Sequence, residues 1–137
     1  MQGFGPTPYL LMAGTAREAL EWWASVFGGA VSTHTFEQFG RTDGDPNAVA
    51  HGTLTGPVSL YAADAGTDDA PFASAGLFFA LLGTGSPEQS KKWFDRLSEG
   101  GHVIDALQQR GWNAWDGQVR DRYGVTWLVG YELDSAS

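Results

Sequence analysis

Cysteine is absent from the 137-residue chain. That excludes disulfide staples, thiol nucleophiles and thiolate metal sites. Basic residues are scarce, with 8 Lys and Arg against 16 Asp and Glu and a formal net charge of −8. Nucleic acid is therefore excluded as a partner class, because phosphate backbones are bound by clustered cations. No apolar run is long enough for a membrane-spanning helix. The first residues, Met1-Gln2-Gly3-Phe4-Gly5, lack the basic-then-apolar pattern of a secretory leader. Together these absences predict a cytoplasmic protein without a membrane partner. No Gly-x-Ser-x-Gly elbow and no phosphate-cradling glycine loop occurs either.

Aromatic residues, in contrast, are abundant: six Trp, eight Phe and four Tyr make up 13% of the chain. That many rings suit a core plus an aromatic-lined pocket for a small molecule. The length is that of one domain or of two small fused modules, and it allows roughly 65–70% of the unfolded surface to be buried without staples.

The stretch TAREALEWWASVFGGA, residues 15–30, reads as an amphipathic helix. Thr15 and Glu18 have capping-box spacing. Ala16, Ala19, Leu20, Trp23, Val26 and Phe27 fall on one face, and Gly28-Gly29 supplies the stop. Residues 6–14, PTPYLLMAG, precede it as a short apolar strand bounded by Pro and Gly. The same plan returns later. A strand, Leu77–Leu82, leads to a helix with Ser86 as cap, Pro87 in the first turn and Gln89 three residues on. Trp93-Phe94 stand in the place of Trp22-Trp23, and Gly100-Gly101 repeat the stop. Gly14, Thr15, Glu18 and Trp22 recur at one constant offset as Gly85, Ser86, Gln89 and Trp93, while the glycine pair slips by a single residue.

Strands with Thr, Val and aromatic content follow each helix, at 30–39, 48–55 and 58–65, and again at 102–107, 114–120 and 125–131. Asp121-Arg122-Tyr123-Gly124 makes the last hairpin turn. The predicted class is α+β, a single domain of two tandem βαβββ modules. They span about 6–65 and 76–132, joined by a polar linker at 66–75 and followed by a tail at 133–137.

The segments TPYLLMAGTAREALEWWASVFGG, VAHGTLTGPVSLYAAD and DRYGVTW resemble the vicinal oxygen chelate superfamily, the glyoxalase/bleomycin-resistance/dioxygenase fold. The likeness is to its PhnB-like branch, and it runs from Pro8 to about Tyr131. It implies curved mixed sheets enclosing a cleft, and a homodimer, sometimes with exchanged strands. It does not imply one activity, because the superfamily hosts isomerases, dioxygenases, lyases and drug-binding proteins.

Metal-dependent members carry a His or Glu on the first and last strands of each module. Here the first and fifth strands offer none, and the eighth has Trp127 in that region with Glu132 only at its end. The fourth offers Asp64 alone. The implied cleft is therefore metal-free and needs no cofactor. The competing expectation is a lyase, isomerase or dioxygenase using a divalent metal on non-standard ligands, His51, Asp64 and Glu132.

The branch also carries a His at the position of His51. Alternation places Val49, His51 and Thr53 on one strand face and Ala50, Gly52 and Leu54 on the other. On the cleft side His51 would hydrogen-bond or protonate a ligand; otherwise it is a histidine satisfied within the sheet. His34 and His102 read as surface or satisfied residues, Asp68-Asp69 as a solvated turn and Arg122 as exposed. Trp112 and Trp115 flank a loop and would sandwich a planar or cationic ligand, or else close the core edge. Trp127 takes the place of the metal region, Tyr9 offers a hydroxyl to the same volume, and Phe39 caps it. The expected function is metal-independent binding of a small aromatic or cationic molecule by Tyr9, Phe39, His51, Trp112, Trp115 and Trp127. Sequestration of a toxic compound, as in the drug-resistance relatives, is one form of it. No catalytic set is identifiable.

Overall fold

The computed structural model describes residues 6–133. The chain divides into two compact units, one ending at Phe72 and the other beginning at Ala73. The first contains β1 (Tyr9–Met12), α1 (Ala16–Phe27), β2 (Ala30–Thr35), β3 (Val49–Thr55) and β4 (Leu60–Asp64). The second contains β5 (Phe79–Leu82), α2 (Pro87–Ser98), β6 (His102–Gln109), β7 (Ala114–Arg120) and β8 (Thr126–Glu132). The sheets have the same plan, β1-β4-β3-β2 and β5-β8-β7-β6. The first strand pairs parallel with the last, and the other pairs are antiparallel. The architecture is thus α+β, with βαβββ order in both units. No helix among the described residues is long and apolar enough to cross a membrane.

Periodicity determines what α1 buries: Ala16, Ala19, Leu20, Trp23, Val26 and Phe27 are all in the core. They lie on the sheet face formed by Leu10, Leu54, Leu60 and Ala62. Gly52 makes the contact close, since a Cβ there would stand 2.5 Å from Leu20 Cδ1. In the second unit Trp93, Phe94 and Leu97 of α2 are buried, and Gly85 leaves room for the Trp93 ring, which a Cβ would approach to 2.8 Å.

The two helices begin differently. Ser86 and Gln89 form the expected capping box, with Gln89 N–H donating to Ser86 Oγ at 3.1 Å and Ser86 N–H donating to Gln89 Oε1 at 2.9 Å. The box expected at Thr15 does not form, because Thr15 has φ −116° and makes no side-chain cap bond. Asp64 does the work instead. Its Oδ1 accepts the Ala16 N–H at 2.9 Å, and its Oδ2 accepts the Val49 N–H at 2.9 Å. Alternation on β4 turns Asp64 to the helix side with Leu60 and Ala62, where it is 5% exposed. A charged acceptor at the positive end of a helix outcompetes a neutral hydroxyl.

The second glycine of each helix stop lets the chain cross over a strand end. A Cβ at Gly29 would lie 2.5 Å from the Thr55 carbonyl oxygen, and one at Gly101 would run into the Arg120 carbonyl. Strand β2 ends at Thr35 instead of reaching Phe39. Thr35 N–H donates to Gln38 Oε1 at 2.8 Å and Gln38 N–H to Thr35 Oγ1 at 3.1 Å, which turns the chain out of the sheet.

Asp64→Ala is expected to lower unfolding free energy by about 1–3 kcal/mol, and Thr15→Ala by no more than about 0.5 kcal/mol. Urea denaturation of the two variants checks this, and equal losses would contradict the assigned cap.

Candidate functional site

In the second unit a cavity of about 420 Å³ opens at the shared end of β5, β7 and β8. Leu82, Trp112, Trp115, Asp116, Tyr131 and Glu132 are its main walls. The β6–β7 hairpin positions the two tryptophans. Arg110 N–H donates to the Ala114 carbonyl at 2.7 Å, and Leu133 N–H donates to the Asn113 carbonyl at 2.9 Å. Asn113 takes the left-handed conformation at φ 64°, which Asn tolerates better than most residues. Trp112 is left at the hairpin tip, 69% exposed.

Trp115 and Tyr131 are register partners on β7 and β8, and their rings stack at 6.1 Å and 7°. Trp115 Nε1 is buried and has no hydrogen-bond partner among the described residues. A Cβ at Gly130 would meet the Trp115 carbonyl at 2.6 Å and Leu82 Cδ2 at 2.9 Å, so the bare backbone keeps the floor between Leu82 and Asp116 clear.

The polar side of the cavity is acidic. Arg110 Nε donates to Asp116 Oδ1 at 2.8 Å and Arg110 Nη2 to Asp105 Oδ2 at 2.7 Å. The hydrogen bond with Asp105, then that with Asp116, raises the Arg110 pKa above its ordinary value. One cation thus serves two carboxylates, and Glu132 adds a third, exposed one at the rim.

The other sequence-derived candidates fall elsewhere. Tyr9 and His51 come together in the first unit, with the Tyr9 hydroxyl 2.9 Å from His51 Nδ1. Tyr61, which the sequence reading passed over, completes this cluster. Its ring lies 5.9 Å from Tyr9 and 5.5 Å from His51. Phe39 lies in the turn after β2 and stacks on His34 at 5.7 Å. His34 and His102 are exposed, as expected.

Trp127 is not a cleft residue. It is 1% exposed, in register with Phe79 and Val119 on the core side of β8. Its Nε1–H donates to Asp121 Oδ2 at 2.8 Å, and its ring meets Phe79 edge-on at 5.5 Å. Asp121 Oδ1 accepts the Tyr123 N–H at 2.8 Å and the Val125 N–H at 3.1 Å. The Asp-x-x-Gly-x-x-Trp run is therefore a hairpin lock. Nor do His51 and Asp64 of the expected ligand set converge. His51 is on the sheet face of Ala63, whereas Asp64 is on the opposite face with both oxygens engaged by backbone N–H groups. Among the described residues no group of three or more His, Asp or Glu is arranged to hold a metal ion.

Alternation with Ala63 was the signal in the sequence for Tyr61, whereas the register that pairs Tyr131 with Trp115 is set by the sheet. The salt-bridged Arg110 gave no local signal, because Asp105 and Asp116 reach it from different strands.

Residues 6–129 match the family model of the Glyoxalase/Bleomycin resistance protein/Dioxygenase superfamily. The chain belongs to this superfamily. Protein YjdN of Escherichia coli K12 is 26% identical over 90% of this chain and 92% of its own. The crystal structure of protein PA1353 from Pseudomonas aeruginosa superposes with a TM-score of 0.79 at 28% identity, covering 96% of this chain and all of that one. A Bacillus cereus PhnB protein, described as a putative 3-demethylubiquinone-9 3-methyltransferase, shares the superfamily fold. Its TM-score is 0.75 at 21% identity, over 92% of this chain and 98% of that one.

Trp127→Phe, which removes the indole N–H donor to Asp121 Oδ2, is expected to cost about 1–3 kcal/mol of stability. It should leave ligand affinity at the second unit's cavity unchanged. Thermal denaturation and calorimetric titration of the same variant test both parts.

Proposed function

We propose that the protein binds a small planar cation in the second unit's cavity, as a binding and sequestering protein. The observation that carries the reading is Trp112, a large ring left 69% exposed beside the Glu132 carboxylate at the cavity rim. An exposed indole of this size costs solubility, and its π face attracts cations by about 0.5–2 kcal/mol. Glu132 adds about 0–1 kcal/mol at an exposed rim, screened by salt. The Arg110 guanidinium is spent on Asp105 and Asp116, so it does not oppose a cation. Trp115 and Tyr131 also line the cavity, with Lys91 Nζ 5.9 Å from the Tyr131 ring centroid. The superfamily's description includes bleomycin resistance proteins, which is consistent with sequestration as the role.

The test is calorimetric titration with N-methylquinolinium and with uncharged quinoline. The cation is expected to bind more tightly by about 3- to 30-fold. Trp112→Ala should weaken it about 5- to 30-fold, and Glu132→Gln about 2- to 5-fold with the loss greatest at low salt. Equal affinity for the two compounds, or no binding of either at millimolar concentration, would reject the reading.

A further inference from the structure

Two hydrogen-bond donors stand beside Tyr131 in the cavity of the second unit, and a simple cation has no use for either. Trp115 stacks on Tyr131, and its Nε1–H is buried without a hydrogen-bond partner among the described residues. Native interiors rarely leave an indole N–H so, because a buried donor has given up water and gained nothing in return. Lys91 approaches the same ring from α2, with Nζ 5.9 Å from the Tyr131 centroid. Its helical neighbours of opposite charge, Glu88 and Asp95, form no ion pair with it among the described residues.

Both donors lie on the helix side of the sheet. Alternation on β8 groups Tyr131 with Trp127 and Val129, which are buried on that side. Glu132 follows Tyr131 and so turns to the other face. On β7, Asp116 likewise alternates with Trp115, and its Oδ1 is already held by Arg110. The two donors are thus separated by the sheet from the carboxylates nearest to them in sequence.

We propose that Lys91 and the Trp115 Nε1–H read an anionic oxygen on the ligand, so that the bound molecule is a zwitterion, a planar cation carrying a carboxylate. The inference rests on the cation reading of the same cavity for the cationic half only.

Charge sorts the candidates. A simple cation is drawn to Glu132 and Trp112 at the rim but is repelled by the ammonium beside Tyr131. A simple anion gains the indole donor and Lys91, yet it meets the Glu132 carboxylate at the mouth. A rigid plane with its cation toward the rim and its carboxylate toward Tyr131 is opposed at neither end. A cavity of about 420 Å³ accommodates a fused two-ring framework with one such substituent. An ionised acceptor is favoured over a neutral carbonyl, since an N–H bond to a charged oxygen is roughly twice as strong. Lys91 is exposed, so its attraction is screened by salt, whereas the indole bond is directional and short-ranged. Trp115 therefore acts here as a donor, a role separate from the ring stacking expected of it.

The experiment is calorimetric titration of the full chain with N-methylquinolinium and with its 3-, 4- and 6-carboxylates, alongside 1H–15N spectra of protein labelled at the tryptophan indoles. At least one carboxylate is expected to bind about 5- to 30-fold more tightly than the parent cation. It should also displace the indole N–H signal that Trp115→Phe deletes. Trp115→Phe should bring the ratio of carboxylate to parent affinity close to one. Lys91→Gln should lower that ratio about 2- to 5-fold at low salt and little at high salt, while Lys91→Arg preserves it. If Trp115→Phe folds poorly, the Lys91 pair at two salt concentrations decides. Carboxylates no tighter than the parent, or a Trp115 signal that stays in place, overturn this inference and leave the cation reading standing. A carboxylate that binds through Trp115 while the parent cation does not bind supports this inference and rejects the cation reading. No binding of any of the four compounds rejects both.

Discussion

Each unit is organised around one buried carboxylate whose oxygens are fully occupied. Asp64 joins the first turn of α1 to the start of β3, and Asp121 joins its own turn to the indole of β8. A buried carboxylate missing its partners costs several kcal/mol, so these bonds leave little freedom in how helix, hairpin and sheet meet. Once α1 is fixed over Leu10, Leu54 and Leu60, strand alternation assigns every other side chain to the far face. That is how Tyr9, His51 and Tyr61 come to share a surface.

One plan repeated in one chain has produced two surfaces of different composition. The second unit gathers carboxylates around tryptophan at a hairpin tip, while the first keeps phenols and imidazoles on a strand face without charges. The helices and glycine crossings are common to both units, and the differences are in strand faces and one loop. This agrees with a superfamily in which the fold is kept while the chemistry varies, since function resides in sites carried by a scaffold.

Much of this was legible from the sequence. Helical periodicity gave the buried face of α1 residue by residue, because burial of an amphipathic stripe is a local pattern. The Ser86 box and the glycine stops were legible for the same reason. Sequence alternation also placed His51 opposite Gly52. The failures came where tertiary partners decided. Thr15 has the right spacing for a cap, but Asp64 arrives from a distant strand and displaces it. Trp127 sits where the resemblance implied a cleft, and alternation groups it with Val129 and Tyr131 without saying whether that face meets the helix or an opening. Its indole N–H then found Asp121 in the adjoining turn. Phe39 was assigned to a strand that Thr35 and Gln38 had already ended through side-chain bonds to the backbone. The Tyr9–His51 bond lay beyond reach because it spans a strand whose position between them only the sheet order reveals.

The unequal capping of the two helices bears on the order in which the chain acquires structure. The α2 cap closes between residues three apart, whereas the α1 cap joins residues 48 apart. Short closures cost little entropy and can precede the sheet, while long ones wait for the strands that carry them. During synthesis α1 precedes β4 and lacks its acceptor until that strand has followed. The helix is therefore completed only when its whole unit is present, and until then its apolar stripe, with Trp23 at the centre, is without the sheet that covers it.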